Sequence, residues 1–338
     1  GGVMEFFQIL WFVLMGVLLA GFFVCAGFDF GIGMLALGFS DTDKRDLALM
    51  EIAPFWDGNQ VWLIVAGGAL FAAFPEAYSV ILSNLYIPVI LLLGLLIFRV
   101  VAIEFFLALK GKKWRVFWTW MNCFASVGAM TLIGVALGAL YGGEVLMKVD
   151  GGWLDNFLRI FTPLTICAAA ICVIFCLAHG SVYLSMKNST DEYYRRLALK
   201  WLAILALGYF VYLLVFFFCG KTGSVPRIFA LGIFVLAYMP LRFAMRFLRR
   251  GQVKTAFAST SLFAVLAVFA HCLGAYPYIV APSSTSAGVE IFEASSTLMT
   301  LEIMTVVAAI GMPLALGYFA YSHAVFSKGK NTKEDKEY

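Results

Sequence analysis

Long apolar runs recur along this chain of 338 residues, and they constrain its fold more than any other feature of the sequence. Hydrophobic residues make up 62% of the chain, charged residues make up 13%, and the mean hydropathy is +0.92. Soluble domains carry about 45–50% apolar and about 25% charged residues. A water-soluble fold of this size could not hide so much apolar surface, so the lipid bilayer must be the main solvent.

Nine of the runs are long enough to cross a membrane. A transmembrane helix needs about 20 predominantly apolar residues, and these runs are far too long for the strands of a membrane barrel. The predicted fold class is therefore an all-α integral membrane protein with about nine transmembrane helices. The predicted spans are 6–38, 54–74, 77–109, 114–141, 156–187, 196–220, 227–248, 255–281 and 297–326.

The basic residues predict how these helices are oriented. Of the 24 Lys and Arg residues, 19 lie in or close to the loops after spans one, three, five and seven or in the C-terminal tail, and only 4 lie in or close to the opposite set. Cytoplasmic loops carry the excess of positive charge, so we expect the N-terminus outside and the C-terminus in the cytoplasm. The net charge of +4 is small and scattered, which argues against a nucleic-acid partner.

Spans one to four and spans five to eight share one orientation, which permits two four-helix bundles in parallel repeat followed by one peripheral helix. On this interpretation residues 1–150 form the first half, 151–285 the second half, 286–326 the ninth helix and 327–338 a flexible cytoplasmic tail. Asp29 and His179 lie at equivalent places in the first helix of each half. Sequence similarity between the halves is weak, so the sequence leaves the repeat open.

Ionisable residues inside the predicted spans are the candidate functional groups, because each costs roughly 2.5–3.5 kcal/mol on insertion into hydrocarbon. Five of them fall in the cytoplasmic half of the membrane: Asp29, Asp57, Arg99, Glu104 and His179. Such a cluster fits a proton entry route, and it also fits a polar network that fastens helices together. The residues alone leave both interpretations open.

The neighbours of these residues favour different interpretations at different places. Asp57 stands where a span begins, between Trp56 and the polar run Gly58–Gln60, and this polar-aromatic patch favours a functional role. For Arg99 and Glu104 the structural interpretation is favoured, with Arg99 paired to a carboxylate.

The three histidines bear on whether this chain holds haem. A haem held by two histidines needs both at matching depth on facing helices. His271 has no histidine partner at its own depth, and His179 and His323 differ in depth by roughly 7 Å at a rise of 1.5 Å per residue. We therefore expect no haem in this chain. The seven cysteines lie in apolar runs without disulfide or zinc spacing, so we expect no metal site either.

Three segments in the first quarter of the chain form a recognisable pattern. They are Gly27–Gly33 (Gly-Phe-Asp-Phe-Gly-Ile-Gly), Pro54–Leu63 (Pro-Phe-Trp-Asp-Gly-Asn-Gln-Val-Trp-Leu) and Gly67–Pro75 (Gly-Gly-Ala-Leu-Phe-Ala-Ala-Phe-Pro). Shorter matches follow at Phe98-Arg99, Glu104-Phe105, Tyr276-Pro277, Ala281–Ser284 and Ser296–Leu298. Over nearly its whole length the chain resembles subunit II of the cytochrome bd quinol oxidases. It departs from the family pattern at Phe106, where an arginine is expected, and this puts a second basic partner of the polar network in doubt.

The resemblance implies a complex in the bacterial cell membrane. Members of this family pair with a similarly folded subunit I that carries two b-type haems, one d-type haem and the main quinol site. The complex oxidises quinol and reduces dioxygen to water with protons from the cytoplasm. Subunit II carries no haem. Some members hold a structural quinone in this subunit, and small single-helix accessory subunits are further candidate partners besides lipid and quinol.

The resemblance also implies roles for individual residues. Asp57 corresponds to an acid proposed to assist proton delivery at the subunit interface, and Trp62 corresponds to a tryptophan near the mouth of a proposed oxygen channel. With the charge pattern above, Asp57, Asp29 and Glu104 are the candidate proton pathway, and Arg99 and His179 are the candidate polar network.

Two other classes of protein fit parts of the sequence. A secondary transporter would explain the odd number of spans and the buried charges. However, Pro88, Pro163, Pro240 and Pro313 show no symmetric pair of the kind that broken transporter helices have. A structural or assembly subunit without a proton role is the third alternative. Co-purification with a haem-bearing partner would separate the oxidase subunit from the transporter.

Overall fold

The fold was obtained as a computed structural model, which describes residues 2–108, 111–146, 152–220, 227–284 and 286–328. The described residues are nearly all helical, with one short β-hairpin. The helices are α1 (Gly2–Leu35), α2 (Thr42–Ile52), α3 (Trp56–Ala73), α4 (Pro75–Asn84), α5 (Tyr86–Ala108), α6 (Lys112–Gly142), α7 (Trp153–Leu158), α8 (Pro163–Lys187), α9 (Glu192–Cys219), α10 (Arg227–Arg249), α11 (Val253–Ala275), α12 (Ile291–Ala294) and α13 (Leu298–Lys328). The antiparallel strands are β1 (Tyr278–Val280) and β2 (Val289–Glu290).

Eight helices in the described part of the chain are long and apolar enough to cross a membrane, and α3 together with α4 brings the number to as many as nine. This agrees with the predicted class and number of spans. The prediction that the third span begins at residue 77 was wrong, because that segment forms the separate helix α4, bent by 119° from α3. Pro75 begins α4 and Leu85 ends it, so the third span is α5 alone.

Two further boundaries differ from the predicted spans, and proline explains both. The fifth span begins at Pro163 rather than at 156, because Thr162 caps α8 and proline suits the first helical position. The eighth span ends at Ala275, and the cis Tyr276–Pro277 peptide leads out of the helix into β1. Since proline has no backbone N–H to donate, it does not continue a helix.

Helices α1 and α8 run parallel and approach each other backbone to backbone. A Cβ atom added at Gly31 would overlap the backbone carbonyl of Cys176, and one added at Gly180 would lie 2.8 Å from the backbone nitrogen of Ile32. Small residues allow this approach of two backbones in a membrane bundle. Gly27 lies on the same face, where an added Cβ would come within 2.8 Å of the ring of Phe175.

Two antiparallel contacts flank this central pair. Helix α6 packs on α8 where a Cβ at Gly138 would lie 2.7 Å from the Cα of Thr165. Helix α11 packs on α1, with the rings of Phe28 and Phe257 6.1 Å apart. The first helix of each predicted half thus packs against the last helix of the other. This arrangement fits the parallel repeat, although the repeat and its boundaries stay predictions.

Helix α13 lies at the edge of the described bundle and is bound mainly through its N-terminal turns. The indole Nε1 of Trp11 donates to the carbonyl oxygen of Leu301 at 3.2 Å and to the Thr305 hydroxyl at 3.1 Å. The predicted tail of residues 327–338 lies outside the described residues from 329 onward. The membrane orientation also stays a prediction, which a reporter fused after Arg250 can test.

One ion pair links the predicted halves at the end of the bundle where α2 lies. Lys44 of α2 donates to Asp191, the N-cap of α9, at 2.9 Å. The hydrogen bond raises the pKa of Lys44 and lowers the pKa of Asp191. Both groups are therefore charged at neutral pH. Because the pair is partly exposed, its contribution to stability is small.

Candidate functional site: a buried ion pair and its polar neighbours

A fully buried ion pair lies at the centre of the first half. The guanidinium Nη2 of Arg99, on α5, donates to Oδ1 of Asp29, on α1, at 2.7 Å, and both side chains have no exposed surface. The guanidinium also lies over the ring of Phe30, 3.9 Å from its centroid. The carboxylate that the sequence predicted as a partner of Arg99 is therefore Asp29 and not Glu104.

Two other helices complete the coordination of this pair. Asn59 of α3 donates its amide to Oδ2 of Asp29 at 2.8 Å, and Nε of Arg99 donates to Ser126 of α6 at 3.2 Å. Ser126 in turn donates to Oδ1 of Asn122 at 3.4 Å. One ion pair thereby connects α1, α3, α5 and α6. Uncompensated charge in hydrocarbon is costly, so these hydrogen bonds stabilise the pairing of the four helices.

Sequence reasoning missed the contribution of α6. Asn122 and Ser126 are spaced by four residues, with Thr119 one turn earlier, so the three polar side chains line one face of an otherwise apolar helix. All three are buried. This polar stripe was the signal in the sequence that α6 faces an intramembrane charge.

Several polar atoms around the pair have no hydrogen-bond partner within the described residues. They include Nη1 of Arg99, Oδ1 of Asn59 and Nδ2 of Asn122. Buried polar groups normally have a partner in protein or ordered water. The described residues thus satisfy only part of the hydrogen-bonding capacity of the network.

Asp57 lies on α3 but points away from this network. Asn59, two residues later, is fully buried against Asp29, whereas Asp57 is exposed in the first turn of the helix. Residues two apart on a helix point in nearly opposite directions.

Glu104 is likewise exposed, near the end of α5. Its neighbour Phe105 stacks on Trp118 at 5.0 Å between ring centroids. Phe106, which stands where the family pattern has arginine, is buried beneath the guanidinium of Arg115, 4.8 Å from its ring centroid. Arg115 of α6 therefore places a positive charge next to position 106, where the family pattern has arginine. Its Nη1 pairs with Oδ2 of Asp46 at 2.7 Å.

Trp62 is half-buried against α1, where Gly21 leaves room for the indole, since a Cβ at that position would overlap the ring. The tryptophan lines an apolar groove of about 580 Å³ between α1, α3 and α13. Sequence reasoning did not foresee Gly21 as the residue that admits this side chain.

His179 does not join the ion pair, contrary to its predicted place in the polar network. Its Nδ1 lies 2.7 Å from the Thr260 hydroxyl and its Nε2 lies 3.1 Å from the carbonyl oxygen of Val24. The ring is sandwiched between Phe175 and Phe257. A buried imidazole with aromatic rings on both faces is a packing element between α1, α8 and α11.

His271 is similarly engaged in the second half of the chain. Its Nδ1 donates to the carbonyl oxygen of Ala267 at 2.6 Å, and its Nε2 accepts from the Tyr212 hydroxyl. No cluster of three or more metal-ligating side chains occurs among the described residues.

These features define a multi-pass helical membrane protein organised around an intramembrane ion pair. A family model described as cytochrome bd terminal oxidase subunit II matches residues 7–326. The chain belongs to the cytochrome bd terminal oxidase subunit II family. It is therefore a subunit of a terminal oxidase, an oxidoreductase complex of the bacterial inner membrane, and this assignment favours the oxidase subunit over the transporter.

Similar proteins extend over nearly the whole chain. The cytochrome bd-I ubiquinol oxidase subunit 2 of Escherichia coli (strain K12) is 32% identical over 98% of this chain and 97% of that protein. The cytochrome bd ubiquinol oxidase subunit 2 of Bacillus subtilis (strain 168) is 29% identical over 97% of this chain and 98% of that protein. A chain in the solved structure of the bd oxidase from Geobacillus thermodenitrificans has the same fold, with a TM-score of 0.78 at 17% identity, covering 95% of this chain and 98% of that one.

The ion pair leads to a prediction about assembly. Asp29→Asn should lower the free energy of unfolding by about 3–5 kcal/mol, because it leaves the Arg99 charge buried without compensation. Asp29→Asn combined with Arg99→Gln should recover part of that loss. The measurement is the thermal midpoint and the folded yield of the purified oxidase. Lys44→Gln, which breaks an exposed pair, is the control and should cost much less stability. Equal losses for Asp29→Asn and Lys44→Gln would contradict this account.

Proposed function

We propose that this chain is the haem-free subunit II of a quinol-oxidising, dioxygen-reducing bd-type oxidase, and that it supports a haem-bearing subunit I and helps to deliver protons to it. The observation that carries this proposal is the division of polar groups on α3. Asn59 closes the internal network at Asp29, whereas Asp57 presents a carboxylate on the outside of the bundle. On this proposal quinol oxidation and the two b-type and one d-type haems belong to subunit I.

The engagement of the histidines supports the haem-free assignment. An axial histidine ligand needs one ring nitrogen free to bind iron. In His179 and in His271 both nitrogens contact protein groups, and two of these four contacts are to backbone carbonyl oxygens. Each ring would have to break a buried hydrogen bond before it could bind iron. The family's structural quinone stays a prediction for this chain.

Haem content gives a direct test of this assignment. His271→Ala should leave the visible spectrum and the haem content per complex unchanged, because the imidazole bonds only to Tyr212 and Ala267. His179→Ala serves as a second variant, since it removes the other buried imidazole. The measurement is the pyridine haemochrome spectrum of the purified complex. Loss of one haem in a variant that assembles in normal yield would overturn the haem-free assignment.

Exposed carboxylates on α3 and α5 support an interface role. Asp57 and Glu104 stand on helices that the charge bias places in the membrane, and a carboxylate facing lipid is costly. Large apolar side chains such as Ile64 and Ile97 are exposed on the same two helices, and they would be covered by a docked subunit. We place the contact with subunit I on these helices, with Asp57 near its cytoplasmic entrance.

A proton role for Asp57 requires titration and not only hydrogen bonding. Asp57→Asn keeps the size and polarity of the side chain but cannot take up and release a proton. We expect slower quinol-driven oxygen consumption, by tenfold or more if the step is general acid–base transfer, which contributes about 10²–10⁴. Haem reduction by quinol should remain intact. Asp43→Asn, also an exposed aspartate in the first turn of a helix, is the matched control. A fully active Asp57→Asn complex of normal haem content would sink the proposal.

The groove beside Trp62 is the proposed access for oxygen. Dioxygen is apolar and dissolves better in hydrocarbon than in water, so an apolar groove open toward the membrane suits its entry. The lining side chains from α1, α3 and α13 are almost entirely apolar.

Oxygen access has a kinetic signature of its own. Trp62→Ala should raise the oxygen concentration needed for half-maximal turnover by several-fold while the maximal rate and the haem content stay near wild type. The reason is that lipid tails can fill the space vacated by the indole. Trp120→Ala removes an exposed tryptophan of α6 and is the control. If oxygen dependence is unchanged in Trp62→Ala, the groove is not the route.

A further inference from the structure

The second half of the chain contains a long stretch without any acidic residue. Between Glu192 and Glu290 there is no Asp or Glu, although Lys and Arg recur throughout. Five of these basic residues fall between positions 242 and 254, around the end of α10 and the start of α11. They are Arg242, Arg246, Arg249, Arg250 and Lys254.

The arginines form a ladder on the outer side of α10. Positions 242, 246, 249 and 250 lie within about 100° of helix circumference at 100° per residue. The buried side chains of the same helix, among them Leu241 and Leu248, lie on the opposite face. All five basic side chains are exposed, so the ladder points away from the protein. It spans roughly 12 Å along the helix axis.

No partner within the described residues neutralises this charge. None of the ion pairs among the described residues involves α10 or Lys254. Like charges three or four residues apart on a helix repel one another. An external anion would relieve the repulsion.

The surroundings of the ladder are those of a lipid. Met239 and Phe243 are exposed next to it, on the same side of the helix as the arginines and toward its membrane-embedded part. Helix α9 packs antiparallel on α10, and contacts of Phe216 and Tyr209 with Phe234 set the register. By that register Lys200, which is exposed, lies at about the height of Arg246. The site therefore combines the cations at Arg246, Arg249 and Arg250 with apolar side chains on the preceding turns of α10.

We propose that this surface of α9 and α10 binds an anionic glycerophospholipid. The phosphate groups of the lipid contact Arg246, Arg249 and Arg250 of the arginine ladder. Its acyl chains lie along Met239 and Phe243. Clusters of Lys and Arg beside a transmembrane helix attract anionic headgroups. Guanidinium groups hold phosphate with paired hydrogen bonds. A lipid with two phosphates matches the length of the ladder better than a lipid with one.

The test uses the purified two-subunit oxidase after detergent delipidation. Four additives are tested separately: tetraoleoyl cardiolipin, dioleoyl phosphatidylglycerol, dioleoyl phosphatidylcholine and inorganic phosphate. For each, we measure the thermal midpoint of the complex and, by native mass spectrometry, the amount of bound lipid. Wild type should bind cardiolipin and gain several degrees, with a smaller gain from phosphatidylglycerol and none from phosphatidylcholine or inorganic phosphate. Arg246→Gln with Arg249→Gln should lose at least half of the gain and of the bound lipid.

Lys112→Gln with Lys113→Gln is the matched control, because it removes two exposed cations at the start of α6 without touching the ladder. This control should respond like wild type. Three results would each overturn the proposal. The two double variants could respond equally, or phosphatidylcholine could give the same gain as cardiolipin. The arginine variant could also lose a co-purified acidic polypeptide while its lipid binding is unchanged. If the Gln pair does not assemble, Arg249→Gln alone is compared with Lys113→Gln by the same criteria. Lipid counting needs no turnover, so the result is independent of the proposed proton role.

Discussion

The arrangement of the first half depends on one interaction, the ion pair between Asp29 and Arg99. Both charges lie where neither water nor a lipid headgroup reaches them, so they are tolerable only together. Asn59 on α3 and Ser126 on α6 meet part of their remaining hydrogen-bond capacity. The rotation of four helices about their axes is fixed by this requirement, since turning any one of them would leave a polar group unpaired. Packing of apolar side chains alone gives no such restriction in lipid.

Fixing α3 in this way also determines what the helix presents outward. With Asn59 held against Asp29, Asp57 must face away from the bundle, and Trp62 must lie against α1 where Gly21 leaves space. The same rotation of α3 therefore determines that Asn59 binds inside the bundle and that Asp57 is available to a partner. This explains why the polar-aromatic run Trp56–Trp62 combines structural and candidate functional residues within two turns.

Much of this fold could be predicted from the sequence, because bilayer thickness and the cost of exposed backbone leave few solutions. The class and the number of spans followed from those constraints. The separate helix α4 did not, because an apolar segment after a tight turn has the same composition whether it continues a span or lies across its end. The sequence could not show which of several carboxylates pairs with Arg99. It gives the depth of a residue along a helix but not the direction in which its side chain faces. His179 was misassigned for the same reason.

The parallel crossing of α1 and α8 has a consequence for synthesis. Chains are made from the N-terminus, so α1 enters the membrane long before α8 exists, and the flat surface around Gly31 must wait for its partner. Asp29 does not have to wait as long, because Asn59 and Arg99 follow directly in α3 and α5. The ion pair can thus hold the early helices in register during translation, leaving the glycine surface open to receive α8 when it arrives.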